Sequence, residues 1–403
     1  MAETNNTGST TSGVLLIAGT SIGAGMLGIP LLSGLAGFVP CMLANFLCWL
    51  FMLSTGLLIL EATLWMEDGA NIISMTERFL GPWGKKIGGC LYLFLYYCLL
   101  TAYFAGGAPI FVQVLNHSFK LSLGVHEGYC LFAVSFGVIL FMGARLVDRM
   151  NFILIIGMVI SFFSLLSLGS AEVKYDLLAR ADWPLTLLSF PILFSAYGYH
   201  NVIPSLCTYL KRNTENLRKA IIIGSSIPFL VYSIWQWLII GSVPKEILTQ
   251  MMSQGVPATE ALKVVGNSEW LVSFAEAFSF FALVTSLLGV SLAMLDFLSD
   301  GFKARKTDST RAVLCILVFL PPLFFAWHNP NLFIFALEIA GGFGEAILNG
   351  LLPVMMVWVG RYHMNLDSEV RLPGGRYSLV LITVLTLFII ALETTLIIMG
   401  KPH

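Results

Sequence analysis

Between Gly13 and Ala36 the chain runs without a charge for long enough to cross a bilayer. The middle of that run reads Gly19-Thr20-Ser21-Ile22-Gly23-Ala24-Gly25-Met26-Leu27-Gly28-Ile29-Pro30. A glycine costs roughly 1 kcal/mol and a proline about 3 kcal/mol against alanine inside a helix. Four glycines and a proline in twelve residues therefore predict a helix that opens part-way through. In hydrocarbon an opened backbone is tolerated where protein, water or a ligand satisfies it. Its free N–H groups and positive dipole end suit a carboxylate. The competing reading of the same glycines is a close packing face for a neighbouring helix.

Composition places the run in context. Of the 403 residues 57% are hydrophobic and only 11% are charged, against about 25% charged in soluble domains. With a mean hydropathy of +0.84 the class is polytopic membrane protein, and a soluble enzyme is disfavoured. The net charge of -1 implies no nucleic-acid partner. Residues 1–12 are polar without a basic segment and predict a short disordered tail, not a signal peptide. Seven cysteines, with no CxxC, predict buried free thiols and neither a disulfide framework nor a metal site.

Eleven spans are predicted, at 13–35, 37–65, 87–115, 128–144, 150–170, 184–207, 220–240, 271–296, 312–327, 331–359 and 378–399. The connections are too short for a soluble domain. The longest, about 241–270, has room for one short surface helix. With the N-terminus inside, 16 of the 22 Lys and Arg fall on the inner side and six on the outer. That asymmetry predicts a cytoplasmic N-terminus and a periplasmic C-terminus. The organisation follows as a tail over 1–12, a five-helix repeat over 13–170, a second over 184–359 and a peripheral eleventh helix over 378–399. The odd repeat length makes the second half enter from the opposite side.

The sixth segment is also interrupted, at Phe190-Pro191-Ile192-Leu193-Phe194-Ser195-Ala196-Tyr197-Gly198-Tyr199-His200-Asn201-Val202-Ile203-Pro204. Breaks at matching positions of two halves point to a transporter binding site. Six acids lie at membrane depth: Glu61, Glu276, Asp296, Glu338, Glu345 and Glu393. Such residues are functional candidates, with a protonated, hydrogen-bonded structural acid as the alternative. Glu61 and Asp296 sit near helix ends where they reach water. Glu338 and Glu345, seven apart, share a face of the tenth helix around Gly341-Gly342-Phe343-Gly344. His200 adjoins the second break and is a candidate proton relay or substrate ligand. Ala282, Thr285 and Ser286 fall on one side of the eighth segment, where hydroxyls facing an opened helix complete an oxygen cage for a small cation. The alternative is bonding to their own backbone. Gly23-x-Gly25-x-x-Gly28 has the dinucleotide spacing but no strand before it.

On these residues the chain resembles the bacterial aromatic amino acid permeases, specific for tyrosine or tryptophan, of the amino acid–polyamine–organocation superfamily. The likeness rests on Ala18-Gly19-Thr20, Gly23 to Leu27 and Pro30; Ala102-Tyr103 with Gly106; and Ser195, Gly198, His200 and Pro204-Ser205. It continues through Thr285-Ser286, Leu288-Gly289-Val290, Asp296, Asp300 and Leu320-Pro321-Pro322. Glu338 and Glu345 depart from the small residues of tyrosine-specific members. The resemblance implies an all-α LeuT-type fold, 5+5 inverted repeats plus one peripheral helix, in the bacterial inner membrane. It implies import of an aromatic amino acid, without enzymatic activity or cofactor, driven by a cation gradient and usually by protons. Within it, the substrate carboxylate falls to the amides of Gly23, Ala24, Gly25 and Met26. The ammonium falls to opened backbone near Ser195, Ala196 and Tyr197, with His200 adjacent. The ring falls to Tyr103, Tyr197, Tyr199 and Phe281. Gly19 and Ile22 with Ala282, Thr285 and Ser286 match a sodium-site pattern; a proton route needs a titrating group, His200 or Glu345. Sodium symport, exchange of another neutral amino acid and a membrane sensor built on a transporter fold are the competing functions. The sequence carries no signal for an oligomeric state.

Overall fold

The computed structural model describes residues 8–266, 268–303 and 307–399. Most of the predicted tail, Arg305, Lys306, Lys401 and the C-terminal His403 lie outside them. Among the described residues the chain is helical throughout, without strands.

The first span is two helices, α1 (Thr10–Ser21) and α2 (Gly25–Ala36), bent by 60° at the predicted break. Then follow α3 (Phe38–Leu64), α4 (Ile72–Phe119, kinked at Gly81), α5 (Val125–Met142) and α6 (Ala144–Gly169). After the short α7 (Tyr175–Leu178) and a 3₁₀ turn at Trp183–Ser189, the sixth span consists of α8 (Phe190–Ala196) and α9 (Ile203–Tyr209). They are separated by residues 197–199 and a 3₁₀ turn at His200–Val202. α10 (Thr214–Ser242) leads to α11 (Lys245–Gln254) and α12 (Thr259–Val265). α13 (Glu269–Gly301) and α14 (Asp308–His328) follow. The tenth span runs from α15 (Leu332–Ile339) through a π-helical stretch, Ala340–Leu351, into α16 (Leu352–Tyr362), and α17 (Gly375–Ile398) ends the described chain.

Nine described helices are each long and apolar enough to span, and the bent first pair makes a tenth. The sixth falls short of that length because it is broken into short pieces. The 241–270 connection carries two helices where one surface helix is expected. They are not superficial: Leu248, Ala258, Thr259, Ala261 and Leu262 are buried. The cysteines are free, and Cys41, Cys48, Cys207 and Cys315 are buried, but Cys90 and Cys130 are exposed.

Packing repeats with a period of five spans. α3 lies on α10, α4 on α13 and α5 on α14, so the second, third and fourth spans meet the seventh, eighth and ninth. α13 packs along α6 as the tenth span packs along α4. Outward faces stay apolar, as at Phe152, Ile156, Ile160 and Phe163 of α6, which suits lipid contact. Polar side chains turn inward and pair: Ser33 donates to Gln236 Oε1 at 2.9 Å, and Asn45 donates to Ser233 Oγ at 3.1 Å.

Each break has its loose ends tied. Pro30 has no N–H, so the carbonyl of Met26 lacks its usual partner, and Trp235 Nε1 donates to it at 3.0 Å. Gly37, at φ +93, closes α2 against the carbonyl of Arg180, where a Cβ would collide. The amide of Asp182 then donates to Ala36 O at 2.7 Å. Gly341 lets the tenth span lie against Pro191 and Ser195, since a Cβ there would sit 2.7 Å from Ser195 N.

Glu61 does not reach water as expected. It is fully buried and held by Arg361, Nε to Oε1 at 2.7 Å and Nη2 to Oε2 at 2.6 Å, because α16 continues past residue 359 and carries the arginine into the core.

Candidate functional site

The two breaks face each other across a cavity of about 110 Å³. Gly23, Ala24 and Gly25 of the first break line it, with Ser195 and Gly198 of the second, Ser286 and Val290 of α13, and Glu345 and Asn349 of the π-helical stretch. A further wall is one face of α4: Tyr92, Leu95, Tyr96, Leu99 and Tyr103, three or four residues apart as helical spacing requires, and Thr20, Ser21 and Asn201 complete the lining.

Where α2 starts, its first N–H groups have no helical carbonyl to meet. Met26 and Leu27 turn theirs back to Gly23 O and Ala24 O at 3.2 and 3.1 Å. Ala24 donates to Ser286 Oγ at 2.9 Å, which ties the break to α13. The N–H groups of Gly23 and Gly25 make no hydrogen bond to another described residue. Together with the dipole of α2 they make a corner whose chemistry suits an anion. On the opposite side Ser195 Oγ is buried without a hydrogen-bond partner among the described residues. The carbonyl of Ala196 is occupied, 2.8 Å from the Tyr232 hydroxyl, which also lies 2.7 Å from Ser21 O.

Several predicted ligands lie behind the wall instead of in it. Met26 is fully buried, with its carbonyl on Trp235. Ala196 packs under Gly25, where a Cβ would stand 3.0 Å from Ala196 Cα. The turn at 197–202 swings its aromatic side chains back onto α3. Tyr197 donates to Asn45 Oδ1 at 2.7 Å, and Tyr199 to Met52 O at 3.0 Å. His200 stacks on Tyr199 with Nε2 2.8 Å from Thr55 Oγ1. Phe281 faces Gly157 of α6. Of the predicted ring slot, Tyr103 alone borders the cavity; Tyr92, Leu95, Tyr96 and Leu99 were not anticipated. Their spacing is the only sequence signal, and α4 carries no charge on any side from Ile87 to Val112, so it offers no contrast there.

Of the cation candidates, Ser286 reaches the first break, while Thr285 Oγ1 lies 2.8 and 3.1 Å from the carbonyls of Phe281 and Ala282 in its own helix. Thr20 and Ser21 line the cavity beside Gly19 and Ile22, which do not. Glu345 borders the cavity beside Gly198, and Asn349 donates to its Oε2. The wide turns of the π-helical stretch break the seven-residue register that places Glu338 on the same face. Glu338 is buried away from the cavity.

Below the cavity lies a vestibule of about 980 Å³, lined by Asn71, Glu77, Lys85, Lys86, Asp296 and Asp300 among others. Three residues border both spaces: Tyr92, Tyr96 and Asn201. Phe297 packs against the two tyrosines, with ring centroids 6.4 and 6.0 Å away. The far side is closed by α11 and α12. Ala258 N–H donates to Leu27 O at 2.9 Å, and Lys263 bridges Glu260 and Glu276 at 2.9 and 3.0 Å.

Residues 6–393 match the model of the tryptophan/tyrosine permease family. The tyrosine-specific transport system 1 of Haemophilus influenzae is 34% identical over 94% of this chain and 95% of its own length. The tryptophan-specific transport protein of the same organism is 29% identical, covering 91% of each. The crystal structure of MhsT in complex with L-phenylalanine superposes with a TM-score of 0.62 over 96% of this chain and 98% of MhsT, at 13% identity. The fold is that LeuT-type fold.

Proposed function

The chain belongs to the tryptophan/tyrosine permease family, and from that premise we propose that it imports an aromatic amino acid, tyrosine ahead of tryptophan, by proton symport. The observation that carries this reading is the cavity between the two breaks, with anion-binding amides on one side and the α4 aromatic face on another. The substrate carboxylate lies on the N–H groups of Gly23 and Gly25, its ammonium toward the second break and Glu345, and its ring along Leu99 and Tyr96. Tyrosine stands first because the 34% identical relative is named for tyrosine and the 29% identical one for tryptophan.

Glu345 is the proton carrier in this reading. It is a titratable side chain on the cavity wall, whereas His200 lies behind the wall, packed against Thr55 of α3. The second reading, sodium coupling through Gly19, Ile22, Ala282, Thr285 and Ser286, is favoured by the contact of Ser286 with the first break, since hydroxyl and carbonyl oxygens suit a hard cation. The vestibule opens among Lys85 and Lys86 of α4 and Asp300 of α13, at helix ends that the basic-residue asymmetry assigns to the cytoplasm, so in this reading the conformation faces inward. Transport then consists of the repeats 13–170 and 184–359 moving against each other to open the α11–α12 side.

The test is uptake of labelled tyrosine into proteoliposomes, competed in turn by each of the twenty amino acids. Competition confined to tyrosine and tryptophan, with phenylalanine weaker, supports the reading. Equal competition by aliphatic amino acids overturns it.

A further inference from the structure

We propose that Asn201 is the residue that reads the polar atom of the substrate's ring, the phenolic O–H of tyrosine or the indole N–H of tryptophan. The inference rests on the proposed function and adds to it the group that sets apart rings with a polar atom from rings without one.

The placement of polar groups carries the argument. The amides of Gly23 and Gly25, Ser286 and Tyr103 lie where the first break meets α13 and α4, the end assigned to the substrate's amino acid moiety. From there the wall descends α4 through Leu99 and Tyr96 and α13 through Val290, all offering carbon surface. At the far end stand the three residues shared with the vestibule, Tyr92, Tyr96 and Asn201. Asn201 is exposed to this space, and its side-chain amide makes no hydrogen bond to another described residue. Its neighbours in the turn are already committed: Tyr199 to Met52 and His200 to Thr55. On the same lining, the Tyr92 hydroxyl is buried without a hydrogen-bond partner among the described residues, on a ring only 6% exposed. A buried polar group without a partner asks for an explanation.

A carboxamide presents both a donor and an acceptor. It accepts from an indole N–H, and it either accepts from or donates to a phenol. A hydrogen bond to the ring O–H or N–H favours a substrate that has one over the analogue lacking it, by about tenfold where water rehydrates the protein group in the analogue's presence, as at the exposed Asn201 amide. One such residue therefore admits both tyrosine and tryptophan and disfavours phenylalanine. The Tyr92 hydroxyl is the second member of this polar end.

The experiment compares kcat/KM for tyrosine and for phenylalanine in proteoliposomes of wild type, Asn201→Leu and Tyr92→Phe. Asn201→Leu keeps the shape and removes the amide; Tyr92→Phe removes one unpartnered hydroxyl and leaves the fold intact. The expected result is a tyrosine-to-phenylalanine ratio lowered about tenfold or more in Asn201→Leu and severalfold in Tyr92→Phe, through loss of tyrosine uptake with phenylalanine uptake preserved. Ratios within twofold of wild type in both variants overturn the proposal. So does an equal loss of both substrates in Asn201→Leu, which marks a structural role. A wild-type protein that takes up no aromatic amino acid overturns the proposed function itself, a different and separately visible outcome.

Discussion

The hydroxyl of Tyr232 lies 2.7 Å from the carbonyl oxygen of Ser21, the last residue of α1. The same hydroxyl is 2.8 Å from the carbonyl of Ala196, the last residue of α8. One side chain of the seventh span thus serves both broken helices at the point where each opens. A phenol has one proton, so it satisfies one carbonyl at a time and holds the other close.

Tyr232→Phe leaves both carbonyls without this donor in a buried setting. A loss of about 1–3 kcal/mol is expected. Thermal unfolding of the purified protein in detergent measures it. An unchanged midpoint shows that the breaks do not depend on Tyr232.

Glu61 and Arg361 make the second test. Removing one partner of a buried ion pair costs about 3–5 kcal/mol, whereas replacing both by packed apolar residues is near neutral. Glu61→Leu is expected to lower thermal stability sharply, and the double variant Glu61→Leu with Arg361→Met to recover most of the loss. A double variant no more stable than the single one contradicts this account of the pair.

How much of this was legible in the sequence depends on how local the signal is. The two breaks were legible because glycine and proline act on their own backbone. Gly23 and Gly25 were therefore placed at the first break without the fold, and both border the cavity. Tyr197, Tyr199 and His200 adjoin the second break in sequence, yet their side chains find Asn45, Met52 and Thr55 on α3. No local pattern specifies that turn. The α4 face that lines the cavity was hidden because the helix carries no charge on any side from Ile87 to Val112, leaving no charged side to contrast with Tyr92 to Tyr103. The Glu61–Arg361 pair joins residues 300 positions apart, and only the fold brings them together.

The closed side makes a third prediction. Lys263 ties α12 to Glu276 of α13, to which Gln113 of α4 also donates, at 2.5 Å. Ser279 lies fully buried beneath this lid, against Thr259. In Lys263→Met the lid is expected to open more often, so a cysteine at Ser279→Cys reacts with a membrane-impermeant thiol reagent several times faster than in the parent. Equal rates show that the ion pairs do not hold the lid.

Coupling is tested by an imposed pH gradient, inside alkaline, without sodium. Tyrosine accumulates in the wild type and fails to accumulate in Glu345→Gln, which keeps the hydrogen-bonding shape but carries no titrating proton. Downhill exchange of labelled for unlabelled tyrosine persists in that variant. Accumulation only on adding external sodium, lost in Thr285→Val, replaces the proton reading by the sodium one.

The central claim is that the aromatic amino acid sits in the cavity between the breaks, and equilibrium binding of labelled tyrosine to the purified protein tests it most directly. Val290 lines that cavity from α13 and touches neither break's backbone role, so Val290→Trp fills the space while leaving the framework in place. The account predicts saturable tyrosine binding to the wild type, displaced by tryptophan, and none to a folded Val290→Trp protein. Undiminished binding to Val290→Trp contradicts it and moves the site elsewhere.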